Sequence, residues 1–264
     1  MIRIDCQGLS SGGDLSSTDQ VQRAYECLIK NGYAILDHVI PAERVAELRI
    51  EFEKRYSIYQ LDERSQETLE IGNRRFLVSL HLTSCFSDPI VYANPVVLAV
   101  VRLALSETAI LETYGAVVSL PEADEQHIHR DGPLLFDSAI SPLLPSHALT
   151  FALPLVEMND EHGSTALWPG SHRWRTLNEA ALPEVPAVPV GSCLLWDFRL
   201  FHRGTPNRSK RYRPFVYATY ARRWYQDPVN FESTARQRLS FDGDFLRSVP
   251  EDARSLFAHV RGLP

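Results

Sequence analysis

The sequence predicts a mainly β fold with flanking helices, its strands closed or stacked as a barrel or sandwich. Two observations carry this. From about residue 112 to 222 the chain is a series of short β-type runs divided by Gly, Pro, Asn and Asp, the pattern of close-spaced strands and turns. On either side of that stretch, apolar residues recur at helical spacing instead.

Taken in order, residues 7–17 are rich in Gly, Ser and Asp and read as an irregular lead-in. STDQVQRAYECLIKNG then reads as a helix: it opens with cap candidates, carries Val21, Ala24 and Leu28 on one face, and ends at Gly32. YAILDHVI (33–40) reads as a strand. PAERVAELRIEFEKRY places Pro41 at a first helical position. Residues 95–109 read as another helix. The strand candidates follow as TYGAVVSL, QHIHRD, ALTFALPLVEM, STALW, SCLLWDF, LFHRG and PFVYATY. VPEDARSLFAHVRG returns to helical character. No linker-like segment separates these parts, so residues 1–264 read as one domain. Its helical front covers about 18–110, its β core about 112–222 and its helical tail about 228–260.

Composition narrows the function. Hydrophobic residues at 44% and charged residues at 23% are those of an ordinary globular protein. A net charge of -6 argues against a nucleic-acid partner, which needs a dominant basic surface. The N-terminal residues show no secretory pattern. The apolar run around VVLAVV (96–101) is far short of a membrane helix. Cys6, Cys27, Cys85 and Cys193 form no C-x-x-C and read as buried or idle thiols of a cytoplasmic protein. The oligomeric state is not legible.

His129-Arg130-Asp131 is the only His-x-Asp in the chain. On a strand, positions i and i+2 share a face, so an imidazole and a carboxylate can reach one cation while Arg130 points away. His202 ends a later strand that can lie beside the first. Two histidines and one carboxylate leave three octahedral positions open, the arrangement of non-haem iron(II) oxygenases. Among nine histidines a lone His-x-Asp arises easily by chance. His127 shares a face with His129 and is an alternative ligand, but it lacks a carboxylate two residues on.

After His202 come the turn residues Gly204-Thr205-Pro206-Asn207-Arg208-Ser209. A tight hairpin centred on Asn207 and Arg208 places Arg213 opposite His202. An arginine there can hold a carboxylate in a bidentate grip near the metal. Arg211 has the same parity and is the runner-up.

With these residues in place, the chain resembles the phytanoyl-CoA dioxygenase family of iron(II)/2-oxoglutarate oxygenases. IKNGYAILDHVIPAERVAELR resembles the family's front segment. Gln126, His129 and Asp131 match its Q-x-x-H-x-D. PLVEMNDEHGSTALWPGSH (154–172) matches its middle block, with His162 where the family usually has Asn. His202, Asn207, Ser209 and Arg213 match its distal element, whose four-point spacing is far more specific than His-x-Asp.

The resemblance implies a double-stranded β-helix, a jelly-roll or cupin-like barrel with flanking helices. It implies Fe(II) on His129, Asp131 and His202, with 2-oxoglutarate and O2 as cosubstrates. Arg213 would hold the distal carboxylate, with Gln126 and Thr165 as further cosubstrate contacts. Halogenating relatives replace the carboxylate ligand with a small residue, so Asp131 favours oxygenation. The implied activity is C–H oxidation, most simply hydroxylation, of a small organic molecule such as a natural-product intermediate, releasing succinate and CO2. Tyr56, Tyr59, Phe86, Leu134, Leu135 and Phe136 are candidates for its pocket wall, with core packing as their competing role. A zinc hydrolase with the same ligands, or a non-catalytic β-barrel binding protein, are the alternatives; neither accounts for the full set.

Overall fold

The structure is a computed structural model that describes residues 2–9, 14–56, 68–227 and 238–260. The front of the chain gives β1 (Arg3–Asp5), α1 (Asp19–Asn31), β2 (Tyr33–Asp37) and α2 (Ala42–Arg55). Next come β3 (Thr68–Gly72), β4 (Arg75–Ser79), α3 (Pro89–Tyr92) and α4 (Pro95–Ala104). The β-rich part holds β5 (Ile110–Ser119), β6 (Ala148–Pro154), β7 (Thr165–Leu167), β8 (Cys193–Asp197), β9 (His202–Gly204) and β10 (Arg213–Ala221). The described tail has α5 (Phe245–Ser248) and a 3-10 helix at Glu251–Phe257.

Eight strands form one sheet in the order β1-β2-β8-β6-β10-β5-β4-β3, and β7 and β9 form a second, two-stranded sheet. All neighbours in the large sheet are antiparallel except β1 and β2. Among the described residues the large sheet does not close on itself. The mainly β class with flanking helices is as the sequence predicts.

The strict two-residue alternation of β strands sorts the large sheet's side chains onto two faces. Phe76 and Val78, Leu149 and Phe151, Cys193 and Leu195, and Val216 and Ala218 join the core shared with the helices. The intervening positions, among them Ile35, Ala152, Leu194, Phe215 and Tyr217, face the other way and pack with Leu167 and Met158 from the segment that carries β7. The helix-side core is the larger. Its α4 is apolar but for Arg102, which suits a helix packed on several sides; the Asn94 side chain caps it by accepting from the Val96 and Val97 amides.

Local signals served well for α1. Gly32 ends it in the left-handed region at φ 82°, its N–H bonding the Leu28 carbonyl. A Cβ at Gly32 would lie 2.5 Å from His172 Nδ1, so this position needs glycine for conformation and for space. Two expectations are corrected. Pro41 lies one residue outside α2, as its N-cap. The front holds more strand than the one expected at 33–40, because β3 and β4 fall within it; RFLVS alternates between the cavity face (Arg75, Leu77) and the helix-side core (Phe76, Val78), a strand period that the flanking helical signals obscured. In the tail, Glu251–Phe257 of VPEDARSLFAHVRG is helical as expected, in 3-10 form, and 228–237 and 261–264 lie outside the described residues. The four cysteines are free, three of them buried. No helix among the described residues is long and apolar enough to cross a membrane.

Burial leaves a pH signature. His147 is 1% exposed and burial pushes its pKa down to about 4. Burial also lowers His172 and His259. Each resists protonation in the fold yet titrates near pH 6.5 once unfolded. Their contribution is therefore intact above pH 6.5 and is lost as pH falls toward the folded values. For His147 the difference is about 2.5 pH units, or about 3 kcal/mol. Thermal melts of metal-free protein are expected to fall steadily from pH 6.5 to about 4.5, less steeply in His147→Phe. A flat profile would contradict a neutral buried His147.

Candidate metal centre

A cavity of about 740 Å³ lies between the pocket-facing side of the large sheet and the β7–β9 pair. His129, Asp131 and His202 come together in its wall. One ligand atom from each lies within 4.8 Å of the others. His202 heads β9, whereas QHIHRD is not a regular strand, correcting the sequence expectation. His129 pairs there in an isolated antiparallel bridge to His202 with reciprocal N–H···O bonds of 3.0 and 2.9 Å, and the Gln126 amide donates to the Gly204 carbonyl at 3.0 Å. That one bridge, plus the Asp131 amide donating to the Phe198 carbonyl at 3.1 Å, sets the three side chains in register.

Neighbouring groups fix each ligand's orientation. His129 Nδ1 bonds its own chain at the His127 carbonyl, and His202 Nδ1 bonds the Leu200 carbonyl, each at 2.9 Å. Those acceptors place the proton on Nδ1 and leave Nε2 as a ligand atom. Asp131 Oδ2 accepts from Thr150 Oγ1 at 2.6 Å and from Trp196 Nε1 at 2.8 Å, while Oδ1 lies 3.4 Å from His202 Nε2. His127 lines the cavity beside His129, but it is outside the cluster that shares one centre.

The electrostatics suit a cation. Burial and the neighbouring His202 push His129 down to about 4, so it offers a neutral nitrogen. Burial opposes the Asp131 charge, yet His202, His129 and the Thr150 hydroxyl outweigh it and hold the carboxyl below its ordinary range. Burial likewise opposes a charged His202, but Asp131 outweighs it and the net shift is upward. The metal-free site thus favours positive charge between His202 and Asp131, where a divalent ion can replace the proton. Two imidazoles and a carboxylate are a donor set that fits iron(II).

At the other end of the cavity stands a row that sequence reasoning half found. Arg213 on β10 and Arg75 on β4 both pair directly with Ser119 of the strand between them, β5. Both guanidinium groups are about 1% exposed. Burial and the adjacent Arg75 pull Arg213 down to about 9; burial pulls Arg75 down to about 10. Arg75 donates to the Asp124 and Thr205 carbonyls. Arg213 Nε and Nη1, Arg75 Nε and Ser119 Oγ have no partner in the protein. Two buried cations with unmet donors, on one face of the sheet, form a cradle suited to an anion.

The hairpin premise behind Arg213 is corrected. β9 pairs with β7, and β10 pairs with β5 and β6, so 205–212 crosses between sheets. Asn207 organises the crossing: its Nδ2 donates to the Ser119 and Arg211 carbonyls, and its Oδ1 accepts from Ser209. Arg211 is exposed and outside the cavity wall. Gln126 and Thr165 both line the cavity. Gln126 ties two walls together, accepting from the Gly204 amide at 2.9 Å and donating to the Ile71 carbonyl at 2.8 Å. A Cβ on Gly204 would come within 2.6 Å of both the Arg75 guanidinium and the Gln126 amide. Of the suggested wall residues, Tyr56 and Phe86 pack in the helix-side core. Leu135 packs against the Phe198–Tyr225 cluster, and Phe136 is 60% exposed. Tyr59 lies outside the described residues. The loop's share of the wall is Gly132 and Pro133, and β3–β4 supply much of the rest through Ile71, Gly72 and Leu77.

The sequence profile of the phytanoyl-CoA dioxygenase (PhyH) family matches residues 28–215. The chain belongs to this family. The match spans every member of the metal cluster and the anion cradle. Dioxygenase trt7 of Aspergillus terreus (strain NIH 2624 / FGSC A1156) is 37% identical over 98 residues, 36% of this PhyH-family chain; this chain spans about a third (34%) of that relative's length. Among solved structures, the nogalamycin-pathway epimerase SnoN, in complex with Fe3+, alpha ketoglutarate and nogalamycin RO, superposes with a TM-score of 0.60 at 17% identity. That alignment covers 85% of this chain and 96% of SnoN. HygX of Streptomyces hygroscopicus, with nickel, 2-oxoglutarate and hygromycin B bound, gives 0.62 at 15% identity, covering 84% and 97%. At these identities the likeness establishes the shared fold, the cupin-like architecture expected for the family.

Proposed function

We propose that this PhyH-family protein is an iron(II)- and 2-oxoglutarate-dependent dioxygenase that hydroxylates a C–H bond of a small organic molecule. The observation that carries the reading is the pairing, in one cavity, of a His–Asp–His cluster with a buried two-arginine cradle. A zinc hydrolase needs the first and leaves the second unexplained. A two-headed acid needs both.

His129 Nε2, His202 Nε2 and Asp131 Oδ1 hold the metal. When bound, iron(II) supplies O2 activation coupled to decarboxylation of 2-oxoglutarate, giving succinate and CO2. Arg213 and Arg75 hold the distal carboxylate, with the Ser119 hydroxyl between them. Arg213 and Thr219, which is level with Thr150 near the metal, are six residues apart on β10, about 20 Å of strand. The Arg213 side chain shortens that gap by leaning over Phe215, its guanidinium carbon 5.3 Å from the ring centre. Gln126 steadies the cavity wall, and Thr165 offers a hydroxyl from β7. Trp196, Phe198, Phe201 and Phe215 give the cavity wall an apolar lining that disfavours water.

The cavity volume falls within the roughly 300–1,000 Å³ of small-molecule sites, which leaves room for a substrate beyond the cosubstrate. SnoN and HygX, with nogalamycin RO and hygromycin B bound, support a natural-product-sized substrate by analogy of fold. The test is anaerobic addition of iron(II) and 2-oxoglutarate to the whole protein. A visible metal-to-ligand charge-transfer band is expected, and its absence would sink the cosubstrate assignment.

A further inference from the structure

We propose that Thr150 and Trp196 are positioning residues that restrict Asp131 to one metal-facing oxygen, Oδ1. The inference rests on the metal-centre reading above. Asp131 sits in a segment with little regular structure, and its amide bond to the Phe198 carbonyl sets the position of its backbone without setting the rotation of its carboxylate. Its Oδ2 is instead gripped by two donors on the large sheet, the Thr150 hydroxyl at 2.6 Å and the Trp196 indole N–H at 2.8 Å. These two residues face each other directly across β6 and β8. The sheet register therefore sets their spacing, and both donors reach the carboxylate from a rigid element.

A carboxylate oxygen has about two lone-pair directions. With both on Oδ2 committed, a cation can reach that oxygen only by breaking a hydrogen bond in a site where lost bonds are costly. Oδ1 points instead toward the His202 Nε2 side, 3.4 Å away. Trp196 reinforces the arrangement from a second direction, its ring centre lying 5.3 Å from that of His202. The consequence is coordination number. One Asp131 oxygen with two imidazoles leaves three of six positions open, enough for a chelating keto acid and O2. Both Asp131 oxygens on the metal would leave one fewer.

The test uses the whole protein loaded with Mn(II), with coordinated waters counted by water-proton relaxation, and with iron(II) affinity measured anaerobically. Thr150→Val and Trp196→Phe keep shape and remove one donor each. Each is expected to weaken iron(II) binding by about 10–100-fold, as loss of outer hydrogen bonds to ligands does. The double variant should also lose one metal-bound water. Thr150→Ser keeps the hydroxyl and should match wild type. Wild-type affinity and water count in both single variants would overturn the proposal, as would a Thr150→Ser loss equal to that of Thr150→Val. Either single variant suffices if the other fails to fold. Wild-type protein that binds neither ion would refute the metal centre itself, a separate outcome.

Discussion

Asp131→Asn is expected to lower iron(II) affinity by more than about 100-fold and to reduce 2-oxoglutarate consumption to background. Loss of an outer partner to a ligand already costs about 10–100-fold, and this variant removes the only anionic ligand of the cluster. The fold should survive, because the amide oxygen can still accept from Thr150 and Trp196, and the change removes a buried charge. Calorimetric iron(II) titration with a melt on the same samples separates the effects. Asp131→Asn protein that melts normally and still binds iron(II) tightly would show that the metal sits elsewhere.

Arg213→Ala is expected to raise the KM for 2-oxoglutarate between about 30-fold and several thousand-fold, or about 2–5 kcal/mol, the range for truncating one side of a buried charge pair. Iron(II) affinity should stay unchanged, since Arg213 stands in the row at the far end of the cavity. Arg213→Lys should recover only part of the loss, lacking the planar fork. Arg211→Ala should leave KM unaltered, its side chain being exposed. A stability change of opposite sign accompanies the binding defect. Burial and Arg75 disfavour the Arg213 charge in the empty cavity, so Arg213→Met should raise the melting temperature of the ligand-free protein while weakening binding. If 2-oxoglutarate affinity survives both Arg213→Ala and Arg75→Ala, the cradle has some other ligand.

His202, Asn207, Ser209 and Arg213 illustrate how far a spacing can be read. Their offsets pointed to Arg213, and Arg213 does face the cavity, but the hairpin offered as the reason does not exist. The spacing instead encodes a crossover, with Asn207 and Ser209 bonding the chain so that it leaves the small sheet and enters the large one at Arg213. Arg75 escaped notice because it lies far from the motifs, in a stretch where helical neighbours hid a strand.

The sequence by itself determined the mainly β class, α1 with its Gly32 stop, and the donor types His129, Asp131 and His202. These are local matters: side-chain period, cap chemistry and short spacings act within a few residues. Only the tertiary structure decided that Ser119 stands between two arginines, that Thr150 and Trp196 share one carboxylate oxygen, and that β9 turns away from β10. Those facts depend on which strands neighbour one another and in what register. Strand neighbours are chosen by burial of whole faces across long stretches of chain, 44 residues for Arg75 with Ser119 and 94 for Arg213 with Ser119, and no local pattern records that choice.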